Sequence, residues 1–495
     1  MTTRIRTALI ATLIVLASGK ASAADPALIA AIKSGNRAAA LKLLGEKANV
    51  HVTDANGATP LHYAVYQEDA DLVERLLKAG AKPSVANAFN STPLAEAAAV
   101  GNAAIIRLLV GAGADPNSSN PEGQTALMAV ARTGHVEAAR ALLDAGARVN
   151  AVEQWGGQSA LMWAAAQKQP AMVKLLIERG ADVNVRGMSR EWERRITAEP
   201  RPKDLHRGGF TALLYAAREG CVECAKHLVK GGADIDLTDP DRTTPLVLAL
   251  MNMRFDTAAY LISAGADVDK WDLYGRSPLY EAVDLGTLPR GGRPDIPSAD
   301  TTPALDIVRM LLERGANPNL QLKLRPPFRN VIFDRQGDNI VLTIGATPLL
   351  RASKAGDNPE AIKLLLARGA LVDLPNVGGI TPLMAAAGMG HVTNATRGRF
   401  NTEQDSLAAI PLLLKAGAAV NAKAADGQTA LHSAAQKGWN KVVTLLAESG
   451  ADLAAKDTNG FTALDYARGA TESRGQTAPN PETVALLERL IKARE

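Results

Sequence analysis

Aromatic side chains are scarce in this chain: seven Phe, seven Tyr and five Trp make up 4% of 495 residues. A core with so few rings must be built from Ala, Leu and Val packed between slender elements. Cysteine is rarer still, with Cys221 and Cys224 alone, which excludes a disulfide-framework fold. Beyond the N-terminal segment no stretch is apolar enough to read as a membrane helix. An excess of one charge is also lacking: 55 Lys and Arg stand against 51 Asp and Glu, for a net charge of +4. Three of those cations, Arg4, Arg6 and Lys20, lie in the first 23 residues, so the rest of the chain carries about +1. That leaves no electrostatic case for nucleic acid. No H-E-x-x-H, G-x-S-x-G or P-loop stands in a plausible context. No metal, cofactor or small-molecule substrate is therefore expected.

The first residues form a separate device. Arg4 and Arg6 precede an uncharged, mostly apolar stretch from Thr7 to Ser18, too short to span a bilayer well. Ala21-Ser22-Ala23 then has the form of a cleavage site. The expectation is a signal peptide over 1–23, and a periplasmic or secreted product with no membrane span once the signal is removed.

What is abundant is repetition. Thr-Pro-Leu begins at Thr59, Thr92, Thr244, Thr347 and Thr381, Thr-Ala-Leu at Thr125, Thr211, Thr429 and Thr462, and serine versions at Ser159 and Ser277. The steps from Thr59 are 33, 33, 34, 52, 33, 33, 70, 34, 48 and 33 residues. A period near 33 marks one small unit stacked many times. Thr125 is a natural helix N-cap, and Pro60, Pro93 and Pro245 suit a first helical position, where the missing N–H costs nothing. Gly134 ends the first helix; Ala138, Leu142 and Leu143 share one side of a second; Gly146 ends that. Each unit thus reads helix, turn, helix, extended finger.

Thr59-Pro60-Leu61-His62, Gly134-His135 and Gly180-Ala181-Asp182-Val183-Asn184 resemble the ankyrin repeat. The resemblance covers essentially all of the chain after the leader. It implies an all-α repeat solenoid of helix-turn-helix units with β-hairpin fingers, about 12 layers including caps, in an exported, bacterial member of that family. The expected organisation is one solenoid over 24–495: an N-terminal capping helix pair at 24–57, ten repeats at 58–460 and a C-terminal capping repeat at 461–495. Where the period lengthens, insertions are expected at 187–207, 288–302, 320–345 and 392–406. Within 320–345, Val331-Ile332-Phe333 and Ile340-Val341-Leu342 flank a polar turn and read as an elongated β-hairpin.

In such stacks the fourth residue after each leading Thr or Ser faces the inner groove. It is Tyr63, Glu96, Ala129, Trp163, Tyr215, Leu248, Glu281, Arg351, Ala385, Ser433 and Tyr466 in turn. Trp163, Tyr215 and Leu248 are expected to form an exposed stripe that Met251 extends. Trp155 lies in the finger before it, Trp271 and Tyr274 in the finger after it, and Trp192 in the charged insertion between. Clustered exposed aromatics have the composition of a protein-binding hot spot. Cys221 and Cys224, spaced C-x-x-C, could form a disulfide or a redox pair, but their flanks follow the repeat and favour packing or a structural bridge. Asp234, Asp236, Asp239 and Asp241 lack the glycine and terminal glutamate of a calcium loop. The function expected is a non-catalytic scaffold binding another protein through groove and fingertips. The alternatives are an exported effector of a host protein, or a redox accessory using Cys221 and Cys224.

Overall fold

The computed structural model describes residues 27–189, 208–286, 300–324, 341–356, 358–390, 402–470 and 478–495. The leader and Trp192 lie outside them, as do most of the insertions expected at 187–207, 288–302, 320–345 and 392–406, including residues 331–340 of the expected hairpin. The described residues form two compact units: those up to Ala164 with Glu178–Ala181, and Ala165–Ile177 with Asp182–Glu495.

The helices come in consecutive pairs. The first are α1 (Ala27–Lys33) and α2 (Arg37–Gly45), α3 (Pro60–Tyr66) and α4 (Ala70–Lys78), α5 (Pro93–Val100) and α6 (Ala103–Gly111), and α7 (Ala126–Thr133) and α8 (Val136–Asp144). Next come α9 (Ala160–Ala166) and α10 (Pro170–Glu178), both divided between the units. The second unit continues with α11 (Ala212–Glu219) and α12 (Val222–Lys230), α13 (Pro245–Met251) and α14 (Phe255–Ser263), and α15 (Pro278–Gly286) and α16 (Ala304–Glu313). It ends with α17 (Pro348–Ala355) and α18 (Pro359–Ala367), α19 (Pro382–Ala386) and α20 (Glu403–Lys415), α21 (Ala430–Lys437) and α22 (Asn440–Glu448), and α23 (Ala463–Ala467) and α24 (Pro481–Lys492). Within each unit first helices pack on first helices of the next layer, as α3 does on α5 and α13 on α15. Second helices do the same, as α6 on α8 and α20 on α22. The α20 helix begins inside the stretch expected as an insertion at 392–406, so residues 403–406 are its first turn, fixed by Thr402 capping the Asp405 N–H.

Local chemistry explains the elements. The leading threonines cap first helices: Thr92, Thr125, Thr244 and Thr347 each accept the N–H three residues on. Small alanines on those helices, Ala97, Ala131 and Ala216 among them, are wholly buried and let neighbours approach closely. Both helices of each pair supply the aliphatic core, with Leu61, Leu94 and Leu246 of first helices and Leu76, Ile106, Leu142, Leu228, Leu261 and Leu446 of second helices fully buried. Gly101 shows why a glycine ends a first helix. Its φ is +78°, and a Cβ there would lie 2.1 Å from the His135 ring of the next layer.

The fingers are turns rather than strands. Among the described residues only isolated bridges occur, such as Val152 with Ser159. Two ladders of hydrogen bonds replace a sheet. At several tips, an amide of one finger donates to a carbonyl of the finger before it: Ala88 to Asn56 at 2.7 Å, Gln154 to Glu122 at 2.8 Å, Leu273 to Asp241 at 2.9 Å and Thr458 to Asp426 at 2.9 Å. At the finger bases, Asn side chains bridge layers. Asn319 Nδ2 donates to Gly369 O at 2.9 Å while its Oδ1 accepts the Leu371 N–H at 2.8 Å. Asn117 and Asn421 repeat the pattern. Two insertions rise from paired flanks: Gly187 N–H bonds Phe210 O at 3.0 Å, and Leu322 N–H bonds Ala346 O at 3.0 Å.

Candidate binding surface

In several repeats the fourth residue is placed by the finger turn leading into its own helix, by the end of the previous first helix, or by both. Tyr63 donates its hydroxyl to Asp54 Oδ2 at 2.5 Å, and Tyr466 does the same to Asp457 Oδ2 at 2.9 Å. Asn87 Nδ2 reaches Glu96 Oε1 at 3.4 Å. From the preceding layer, the Lys33 ammonium stands 5.3 Å above the Tyr63 ring and the Arg132 guanidinium 5.4 Å above the Trp163 ring. Asp284 in the same register forms an ion pair with Arg351.

This packing corrects the expected exposed stripe. Tyr215 and Leu248 are buried, at 8% and 7% exposure, and Tyr274 is buried at 7%. The Phe210 ring meets Tyr215 edge-on at 5.3 Å, and Arg218 covers Tyr215 at 5.1 Å. Arg276 stands over Tyr274 at 5.0 Å, and Arg242 over a half-buried Trp271 at 4.5 Å. Met251 is half-buried. Trp163 belongs to the first unit, whereas Tyr215, Leu248, Met251, Trp271 and Tyr274 belong to the second. Of the residues singled out in the sequence, Trp155 stands in the open, 71% exposed at a fingertip.

Among the described residues, the strongly exposed aromatics instead belong to the first unit. Phe89 occupies the tip position of its finger that Trp155 holds two fingers later, and is 63% exposed. Tyr66, at the end of α3, is 49% exposed. A signal for both was present in the chain. Phe89 aligns with polar Asn56 and Glu122 in neighbouring fingers, and Tyr66 lies seven residues after Thr59, in the column that supplies Lys33 and Arg132.

The second unit instead holds buried charge. Arg276 Nε and Nη2 bond Asp272 Oδ2 at 2.7 and 2.6 Å, and Nη1 lies 3.3 Å from Glu281 Oε1, all three residues being at most 4% exposed. Burial drives the Tyr280 hydroxyl beside them far above its ordinary range. Mutual pairing keeps this cluster tolerable, and removing one member would leave an uncompensated charge.

The remaining candidates are structural in their contacts. Cys221 is the N-cap of α12; its Sγ accepts the Cys224 N–H at 3.3 Å and is bonded to the Cys224 sulfur. Both cysteines are buried. The acidic cluster serves turns and layers. Asp234 takes the Asp236 N–H, Asp236 the Asp267 N–H and Asp239 the Thr243 N–H. Burial pushes the Asp239 carboxyl up to about 6. His62 Nε2 bonds Ser91 O of the next finger at 3.1 Å while its Nδ1 accepts the Thr59 N–H; His432 does the same with Phe461 and Thr429. Burial lowers the pKa of both imidazoles. Among the described residues no helix is long and apolar enough to cross a membrane.

Comparison with known proteins agrees with this geometry. The family model described as ankyrin repeats in three copies matches residues 10–87, 28–120, 94–187, 213–322 and 401–473. The chain is 32% identical over 181 residues to a B-cell lymphoma 3 protein homolog of Mus musculus, covering 33% of this chain and 37% of that protein. It is 30% identical over 324 residues to the ankyrin repeat and KH domain-containing protein mask-1 of Caenorhabditis elegans, covering 60% of this chain and 11% of that protein. It is 32% identical over 142 residues to ankyrin repeat and SOCS box protein 16 of Homo sapiens, covering 28% of each chain. The chain thus spans well under half the length of these curated relatives. Capped helix pairs, an asparagine ladder between layers and a family model matching most of the chain converge on one conclusion: this chain belongs to the ankyrin-repeat family.

Proposed function

We propose that the chain is a non-catalytic scaffold, exported by its N-terminal segment to a periplasm or the medium, that binds a partner protein through the fingertips and inner helices of its first unit. The observation that carries the reading is the exposure of Tyr66, Phe89 and Trp155 together on that unit, in a chain with only 4% aromatics. Large apolar rings held in water are the anchors that interfaces use. Ankyrin repeats suit such a role, because stacked helix pairs present an extended surface on a rigid core.

Affinity capture tests the reading. The chain from Ala24 onward is the bait in envelope and culture extracts, beside a Phe89→Ala/Trp155→Ala version. A protein held by the first and lost by the second supports the reading. The same protein on both baits, with the variant folded, removes this surface from the proposal. Fractionating producing cells tests the export half separately, since recovery of the chain in the cytosol with residues 1–23 intact contradicts it.

A further inference from the structure

The scaffold reading leaves open what the first-unit surface recognises, and the inference here rests on that reading. The first repeat holds a closed polar triad. The Lys33 ammonium lies 5.3 Å over the Tyr63 ring, the Tyr63 hydroxyl donates to Asp54 Oδ2 at 2.5 Å, and Lys33 acts on Asp54 through its charge. Burial alone would raise the Asp54 pKa, yet the Tyr63 hydroxyl, the Ala58 and Asn56 amides and Lys33 together hold it below the ordinary carboxylate value. Cation, ring and carboxylate complete one another.

The fourth repeat has the first two pieces in the same register. Arg132 lies seven residues after Thr125 and Trp163 four after Ser159, and the guanidinium sits 5.4 Å over the indole. The third piece is missing. The acid of that finger, Glu153, has both oxygens taken by its own turn: Trp155 N–H at 2.6 Å, Gly156 N–H at 2.8 Å and Gln158 N–H at 2.9 Å. The consequence shows on the ring, since Trp163 Nε1 is buried and has no hydrogen-bond partner among the described residues. It shows on the cation as well. Arg132 is exposed, and no carboxylate lies within ion-pair distance of it among the described residues. Of the other arginines that stack on rings, Arg218 and Arg276 have their own acids in Glu219 at 2.8 Å and Asp272 at 2.6 Å, and Arg242 covers Trp271, whose indole N–H, unlike that of Trp163, is not a buried orphan.

We propose that Arg132 and Trp163 form a carboxylate-binding subsite that takes an Asp or Glu side chain of the partner polypeptide, filling the place that Asp54 fills in the first repeat. A planar guanidinium matches a carboxylate through two parallel hydrogen bonds, which a lysine cannot reproduce. The buried indole donor favours the same ligand, because an unmade hydrogen bond costs more than a made one returns. Arg132 swings off the ring face to admit the carboxylate and pairs with it there. Trp155, exposed on the finger entering the same repeat, supplies an apolar contact alongside, so the motif recognised is an acidic residue beside a large apolar one.

The experiment selects a random linear peptide library on the chain from Ala24 onward and on its Arg132→Gln, Arg132→Lys and Trp163→Phe variants. The native chain is expected to enrich peptides in which an acid neighbours an apolar side chain. Replacing that acid by its amide should weaken a selected peptide about tenfold on the native chain and not at all on Arg132→Gln. Arg132→Lys should keep part of the discrimination, and Trp163→Phe, which retains a ring but removes the N–H, should lose part of it. Circular dichroism confirms that each variant is folded; the exposed position of Arg132 on α7 makes its variants benign. Selected peptides without an acid, or an acid preference unchanged in Arg132→Gln, overturn the subsite while leaving the scaffold reading intact. A native chain that selects no peptide overturns both.

Discussion

The hydroxyl of Tyr466 donates to Asp457 Oδ2 across 2.9 Å, nine residues back along the chain. Both residues are buried, and Asp457 also accepts the Asn459 and Phe461 amides at 2.9 and 2.8 Å. One carboxylate thereby shapes the finger and ties it to the helix that follows. Burial alone would raise the Asp457 pKa, but these bonds hold it below the ordinary value. A depressed carboxylate contributes stability above its unfolded pKa and loses it as pH falls through the folded one. Tyr466→Phe keeps the ring against His432 and Phe461 and removes the donor. It should cost about 1–2 kcal/mol at pH 7 and reduce the loss of stability below pH ~4. Urea titrations at both pH values measure this; an unchanged midpoint at pH 7 would show that the backbone amides alone hold the carboxylate.

The layer-to-layer asparagines make a second prediction. Asn421 donates to Gly450 O at 3.0 Å and accepts from Asp452 N–H at 2.8 Å. Asn421→Ala should cost about 1–2 kcal/mol, less than two buried bonds because the site is exposed. Asn421→Asp keeps the acceptor and loses the donor, so its cost should fall between native and alanine. The chain itself uses aspartate this way, with Asp236 and Asp373 accepting from the next layer. Thermal melts of the three proteins rank them, and an aspartate variant worse than alanine would mean that repulsion from the Gly450 carbonyl outweighs the retained bond.

Two kinds of buried titratable group oppose each other in pH. Burial pushes Glu96 up to about 7, only partly offset by a bond from Ser91. A raised folded pKa means that its stabilisation is full below the unfolded value near 4.5 and is lost as pH rises through about 7. His62 and His432 have lowered values, again from burial. Their contribution is present above the unfolded value near 6.5 and is lost as pH falls below it through the lower folded value. Glu96→Gln should therefore raise stability at pH 8, by on the order of 2 kcal/mol, and change little at pH 4. Midpoints collected from pH 4 to 8 separate the groups. An equal gain at both ends would mean that glutamine packs better and that titration is not the cause.

Repetition made the scaffold legible. Thr125 and Thr244 announce first helices, Gly134 the end of a first helix and Gly146 the end of a second, and the spacing between threonines locates each layer. These are local rules of capping and backbone geometry, repeated often enough to average out exceptions. The candidate surface was less legible, because exposure is not a local property. Tyr215 and Trp163 occupy the same column, but Arg218 and Phe210 close over one while the other keeps a half-exposed ring under Arg132. Periodicity could assign a face and could not say which neighbour covers it. The buried Asp272–Arg276–Glu281 network is illegible in the sequence for the same reason: the three residues sit in ordinary finger and helix positions, and only packing excludes water from them. Phe89 stands out only as an aromatic among polar fingertips, a signal carried by the finger columns and not by those of the helices.

The remaining prediction concerns the Cys221–Cys224 pair. The bridge spans the first turn of α12, joining its N-cap to a residue whose side chain is wholly buried. A loop this short restricts the unfolded chain only modestly, so chain entropy assigns the bridge about 2 kcal/mol. Cys221 also replaces the Asn that caps the matching helices α2 and α6 through its side-chain oxygen, and a thiol is a weaker acceptor. Cys221→Asn/Cys224→Ala should therefore recover part of what reduction removes: the oxidised chain most stable, the double variant intermediate, the reduced chain least. Thiol titration of the native protein should find neither cysteine reactive until denaturant and reductant are both added. Rapid reduction of the folded chain by a small dithiol would contradict the burial and revive the redox-accessory alternative. A slow reaction, accelerated by urea in step with unfolding, would identify the pair as a clasp on the helix it begins.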